Sequence, residues 1–135
     1  MTLVFDTTVL SGILSNNDSL IREFSNQEYD RLIIPLATDA EIRYGFSYGM
    51  RQAENLKNYE LFKKHFNIEI AYPDQDTSII YSDLATWSRK HGVAISHNDL
   101  WIASTCIRFG GVLATLDKDF NKLPQIRISK INNSI

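Results

Sequence analysis

Three short continuous apolar runs punctuate the chain: Leu3-Val4-Phe5, Leu32-Ile33-Ile34 and Val112-Leu113-Ala114, closed by Asp6, Pro35 and Thr115 respectively. Runs without alternation suit strands covered on both faces, so these three predict the middle of a parallel sheet. Ile68-Glu69-Ile70 and Ile126-Arg127-Ile128-Ser129-Lys130-Ile131 alternate apolar with polar positions instead. Alternation leaves one face in water and predicts edge strands, giving five strands in all.

Between the strands the period changes to that of a helix. Ala53, Leu56, Tyr59, Phe62 and Phe66 share one helical stripe, as do Ile80, Leu84, Trp87 and His91, and Ile102, Ala103, Cys106 and Ile107. Strands alternating with helices predict an α/β fold, a three-layer α/β/α sandwich around a central, mainly parallel five-stranded sheet. No linker, repeat or low-complexity tract divides the sequence, so residues 1–135 are expected to form a single domain. In such folds ligands sit beyond the carboxyl ends of the strands, which directs attention to Asp6 and to the stretch from Thr115 to Phe120.

Composition narrows the classes. Hydrophobic residues are 44% and charged residues 22% of the 135, which excludes disordered and fibrous chains. The 14 basic against 16 acidic residues leave a net charge of −2, so no bulk charge attracts nucleic acid or membrane, and any such partner must be held locally. Cys106 is the single cysteine, so neither an intrachain disulfide nor a cysteine-rich zinc site can form. The opening Met1-Thr2-Leu3-Val4-Phe5-Asp6 lacks a basic start and a long apolar stretch, and nothing later is long enough to span a bilayer. The expected location is the cytoplasm.

Several acids stand where chemistry would be sought, each with a structural explanation beside the functional one. Asp6 follows the first strand and could cap the next helix. Thr38 and Glu41 have the spacing of a capping box, which would place Glu41 in a first helical turn on the same rim as Asp6. Asp99 lies at a helix start where Ser96 or Asn98 could cap, and Asp117 and Asp119 follow the strand at Val112, where turn acids are common. Strand-end logic nevertheless sends Asp6, Glu41, Asp99 and Asp117 to one rim of one sheet. Four carboxylates there repel each other unless cations or shifted pKa values offset the cost, and oxygen-only donors select hard ions such as Mg²⁺ or Mn²⁺. Such ions suit phosphodiester hydrolysis, because they neutralise the phosphate and activate water at neutral pH.

The remaining candidates are quieter. His65, His91 and His97 lack metal-ligand spacing, Cys106 sits on an apolar helix face, Trp87 reads as a core or interface residue, and Gly110-Gly111 reads as a helix stop. Lys63-Lys64 and Arg89-Lys90 read as solvated helix faces, whereas Arg43, Arg51 and Lys118 lie near the expected rim and are candidates for phosphate contacts to a nucleic-acid substrate. Ile13, Leu14, Leu20, Ile21 and Phe24 could line a partner groove, in competition with core packing.

Four blocks, Asp6-Thr7-Thr8-Val9-Leu10, Glu41 with Gly45, Asn98-Asp99-Leu100-Trp101-Ile102-Ala103, and Thr115-Leu116-Asp117 with Phe120, occur in an order and spacing that resemble the motifs of PIN-domain nucleases, in particular the VapC-type toxins of bacterial toxin–antitoxin modules. The resemblance spans almost the whole chain. It implies a metal-dependent endoribonuclease that hydrolyses RNA with a metal-activated water. Asp6, Glu41, Asp99 and Asp117 would then hold one or two Mg²⁺ or Mn²⁺, Asp119 would be a nearby substitute, and Thr115 would support the fourth acid or the water. It further implies a cognate antitoxin, an RNA substrate and a homodimer. Two alternatives stand beside it. One is a catalytically inactive PIN-like module that binds RNA or protein. The other is a small-molecule phosphatase, disfavoured because Thr8 stands where haloacid-dehalogenase-like enzymes carry a second Asp; a receiver-like domain is disfavoured too, because the mid-chain strand at Leu32 ends in Pro35 rather than in a phosphoacceptor Asp.

Overall fold

A computed structural model describes residues 1–131. The elements run β1 (Thr2–Phe5), α1 (Thr7–Leu14), α2 (Asp18–Ser25), β2 (Arg31–Pro35), α3 (Leu36–Tyr48), α4 (Gln52–His65), β3 (Glu69–Ala71), α5 (Gln75–Lys90), α6 (His97–Arg108), β4 (Val112–Ala114), a 3-10 helix (Lys118–Lys122) and β5 (Arg127–Ile128). The five strands form one sheet in the order β3-β2-β1-β4-β5, and every neighbouring pair is parallel. The expected sheet is therefore present, with the three continuous apolar runs inside and the two alternating runs at the edges.

Register explains why the inner runs are apolar throughout. Val4 stands opposite Ile33 on one side and Leu113 on the other. Those three point to one face, where they meet Leu84, Leu100, Ile102, Cys106 and Phe120. Leu3 and Phe5 point to the opposite face, against Val9, Leu10, Leu20, Phe24, Ile34 and Tyr59. Helices α1, α2 and α4 thus cover one face and α5 and α6 the other, which completes the three layers. α3 serves both, through Ile42 on the first face and Ala37 on the second.

The edge strands are shorter than their sequence pattern. β3 begins at Glu69 and takes in Ala71, leaving Ile68 outside. β5 keeps only Arg127 and Ile128 of the six alternating residues. Beyond it the Ser129 N–H still donates to the Leu113 carbonyl at 2.7 Å, but the Ser129 hydroxyl then accepts from the Ile131 N–H and turns the chain away. Edge strands have one neighbour only, so local turns compete with pairing.

Gly110 and Gly111 do more than stop a helix. Gly110 adopts φ +63, the left-handed conformation that closes α6. At Gly111 a Cβ would lie 2.8 Å from Val4 Cγ2 and 3.1 Å from the Thr2 carbonyl oxygen, so the missing side chain lets β4 approach β1. Ile13, Leu20 and Phe24 are buried, with Leu14 and Ile21 packed against the same core, so these residues are core rather than a partner groove. Trp87 packs against the other core. Lys63 also departs from expectation: its side chain is only 12% exposed, its ammonium lying over the Tyr59 ring and pairing with Glu60, so it is not a solvated face. Among the described residues no helix is long and apolar enough to cross a membrane.

Candidate metal centre

The chain enters the sheet at its middle strand and then builds outwards, to β2 and β3 on one side and to β4 and β5 on the other. The order reverses at β1, and the crevice beyond its carboxyl end is where open α/β sheets place ligands. Asp6 occupies that point. It is 3% exposed, and its N–H continues the ladder to the Ala114 carbonyl of β4 at 3.0 Å.

Although Asp6 stands at the N-cap position of α1, its side chain makes no capping hydrogen bond. The carboxylate instead accepts from the Thr115 hydroxyl at 2.6 Å and from the Thr8 hydroxyl at 2.9 Å, both on Oδ2. Thr8 in turn accepts from the Leu116 N–H, and Thr115 from the Asp117 N–H. Thr115, buried at the end of β4, thus ties the first acid to the loop that carries the fourth.

The capping box expected at Thr38 and Glu41 does not form. α3 starts directly after Pro35, so Thr38 is already in the first turn and Glu41 lies beyond it. Pro35, extended at φ −58 and ψ 146, is the N-cap residue, and it has neither the N–H nor the side-chain oxygen that a capping box uses. Thr38 donates instead to the Phe5 carbonyl at 2.9 Å, locking α3 against the end of β1. Glu41 Oε1 accepts from the Thr7 hydroxyl at 3.0 Å and from the Asn98 side-chain amide.

On α6 the cap is Ser96, whose hydroxyl accepts from the Asp99 N–H at 3.1 Å. This releases Asn98 to reach Glu41. Asp117 caps the 3-10 helix by accepting from the Asp119 N–H on Oδ1, while Asp119 Oδ1 pairs with Lys122. Oxygen atoms of Asp99, Asp117 and Asp119 all lie within 4.8 Å of one another, so Asp119 joins the cluster rather than replacing Asp117.

Electrostatics records the crowding. Asp99 is pushed up to about 6, first by burial and then by the charges of Asp6, Asp117 and Glu41. Glu41 is raised too, mainly by burial, with Asp6 adding to the rise while Thr7 and Asn98 oppose it. The structure therefore brings Asp6, Glu41, Asp99 and Asp117 within each other's fields, with Asp119 beside them. A divalent cation would relieve the repulsion. The donor set is carboxylate oxygen alone, with no histidine or thiol in the cluster, which fits a hard cation.

The basic candidates separate. Arg43 is committed to Asp39 and Glu60 and lies over the Tyr59 ring, so α3–α4 packing occupies it and it is not a free phosphate contact. Arg51 lines a cleft that shares Thr7 and Glu41 with the acidic rim. Lys118 is exposed at the start of the 3-10 helix. The quiet residues stay quiet: burial raises Cys106 to about 12 and its Sγ faces the Gly111 carbonyl, while His65, His91 and His97 are exposed. Thr7, Thr8 and Asn98, which the sequence alone does not mark as site residues, hold Glu41 and Asp6 in place. Thr7 and Thr8 sit in the motif block with Asp6, and Asn98 adjoins Asp99, but their partners lie on other elements.

The PIN domain family model matches residues 3–126. The chain belongs to that family. It is 27% identical over 130 residues to a protein named Ribonuclease VapC1 from Haemophilus influenzae (strain R2866), covering 94% of this chain and 96% of that protein. Over 88 residues it is 30% identical to Ribonuclease VapC2 of Rickettsia felis, 64% of either chain. Among solved structures, VapBC2 from Rickettsia felis bound to a promoter DNA fragment superposes with a TM-score of 0.86 at 23% identity, over 96% of this chain and 98% of that one. DNA-bound VapBC from Salmonella typhimurium gives 0.84 at 25% identity, over 96% and 97%. This PIN domain shares with those chains a length and an architecture.

Proposed function

We propose that this PIN-domain protein is a divalent-metal-dependent endoribonuclease and the toxin component of a type II toxin–antitoxin pair. The observation that carries the proposal is the gathering of Asp6, Glu41, Asp99, Asp117 and Asp119 at the strand-order reversal of a PIN-family sheet. Its full-length relatives are named as ribonucleases, and its structural neighbours are VapBC complexes.

Each of three acids has one oxygen pinned by the protein. Thr8 and Thr115 hold Oδ2 of Asp6, Thr7 and Asn98 hold Oε1 of Glu41, and the Asp119 N–H holds Oδ1 of Asp117. No hydrogen bond or ion pair to the second oxygen of any of these is present among the described residues. Pinning one oxygen fixes the carboxylate and leaves the other to meet a cation, the role outer partners play around metal ligands. Asp99, Asp117 and Asp119 would hold Mg²⁺ or Mn²⁺ most directly, with Asp6 and Glu41 completing the acidic wall. When bound, the ion supplies neutralisation of the scissile phosphate and a lowered pKa for a coordinated water. The chain's own work is to orient the acids and to draw the RNA to the rim through Arg51 and Lys118.

The same proposal extends to partners: a cognate antitoxin that covers the cleft, and a second copy of this chain as a homodimer. Incubating the protein with total RNA and Mn²⁺ or Mg²⁺ tests it. Discrete fragments that disappear with EDTA and with Asp6→Asn support it; intact RNA beside folded, metal-loaded protein overturns it in favour of a binding module.

A further inference from the structure

We infer that the cleft next to the acidic rim, between α1, α3 and α4, is a base-recognition subsite that takes an unpaired guanine of the RNA strand. The inference rests on the RNA-cleavage proposal above and adds to it where sequence selectivity resides. The cleft encloses about 510 Å³, within the ~300–1,000 Å³ of small-ligand sites. Thr7 and Glu41 form its inner edge, so a base seated there belongs to a nucleotide adjoining the phosphate at the acids.

Its outer wall comes from the loop before α4 and the first turns of that helix. Arg51 and Glu54 both line it, and neither has an ion pair with the other or with any described residue. Both are exposed, and a ligand that presents an acceptor edge to one and a donor edge to the other would engage the two together. Guanine does so: O6 and N7 accept from a guanidinium, while N1–H and the N2 amine donate to a carboxylate. Adenine offers an amine where O6 would be and lacks the donor pair. Asn55 and Asn58, one turn apart on α4, add amides that both donate and accept, and Phe46 supplies an aromatic wall against which a base can stack. Phe46 meets the Tyr59 ring edge-on at 6.0 Å, so its position is set by the core.

The test measures binding of labelled UUGUU, UUAUU, UUCUU and UUUUU oligoribonucleotides by fluorescence anisotropy. Asp99→Asn protein in Mg²⁺ limits cleavage, and wild type is sequenced in parallel for fragment ends. The expected result is about tenfold tighter binding of UUGUU and a guanine at a fixed position beside the cut. Glu54→Gln, Arg51→Met and Asn55→Ala should each reduce that preference, with melting temperatures near that of the parent. Lys64→Ala, at the other end of α4, should retain it. Equal binding of the four oligomers, no binding of any, or a preference untouched by all three cleft substitutions overturns the inference and leaves the cleft to a polypeptide partner. A guanine preference without cleavage by wild type would retain the subsite while refuting the nuclease.

Discussion

Asp99 bears the electrostatic cost of the rim, and that cost has a sign. Its pKa in the fold is raised to about 6 by burial and by Asp6, Asp117 and Glu41, against the ordinary carboxylate value it has when unfolded. The metal-free fold therefore binds the proton more tightly than the unfolded chain does. Its stability must fall as pH rises from about 4 through about 6. Thermal melts in EDTA should show Asp99→Asn more stable than wild type at pH 7.5, with the difference vanishing below about pH 4. A lower melting temperature for the variant at pH 7.5 would contradict this. Asn98 acts one step further out, through Glu41. Asn98→Ala should weaken Mn²⁺ binding by about 10- to 100-fold without unfolding the protein, as removal of outer partners typically does, measured by calorimetric titration. Asp6, Asp99, Asp117 and Asp119 are legible in the sequence because each follows a strand or lies at a helix start, whereas Glu41 lies beyond the first turn of α3. Asn98 is not legible, because Ser96 and Asn98 compete for one cap, and only the tertiary approach of α6 to α3 shows which is released.

At the level of elements, continuous apolar runs were sufficient to place β1, β2 and β4 inside the sheet, since both faces of each are covered. The edges were legible as edges but not in length: six alternating residues at β5 became two, because Ser129 turns the chain. The start of α3 differs from its sequence pattern for a local reason. Thr38 and Glu41 have capping-box spacing, yet Pro35 lets the helix begin three residues earlier, and Thr38 ties α3 to β1 through the Phe5 carbonyl. Gly111 shows the same limit, since its sequence neighbourhood signals a helix stop whereas its close approach to Thr2 and Val4 depends on strand pairing. Gly111→Ala should cost about 1–3 kcal/mol as overpacking against β1, read as a lowered urea midpoint. Gly45→Ala, where an added methyl meets nothing within 4 Å, should cost far less.

Across the whole molecule, a chain of net charge −2 is expected to act on a polyanion, and the acidic rim makes the mismatch worst where the phosphate must come closest. A divalent cation held at that rim by the acids would resolve the conflict, would supply the chemistry and would offset the cost carried by Asp99. Metal dependence, cleavage and the acidic rim therefore stand or fall together. The most direct measurement is cleavage of total cellular RNA in Mn²⁺ and in Mg²⁺ by wild type, Asp6→Asn and Asp99→Asn, each with and without EDTA. Discrete wild-type fragments lost with EDTA, and reduced at least 100-fold by either substitution in folded protein, are predicted. Fragments that persist in EDTA or in both variants would contradict the account.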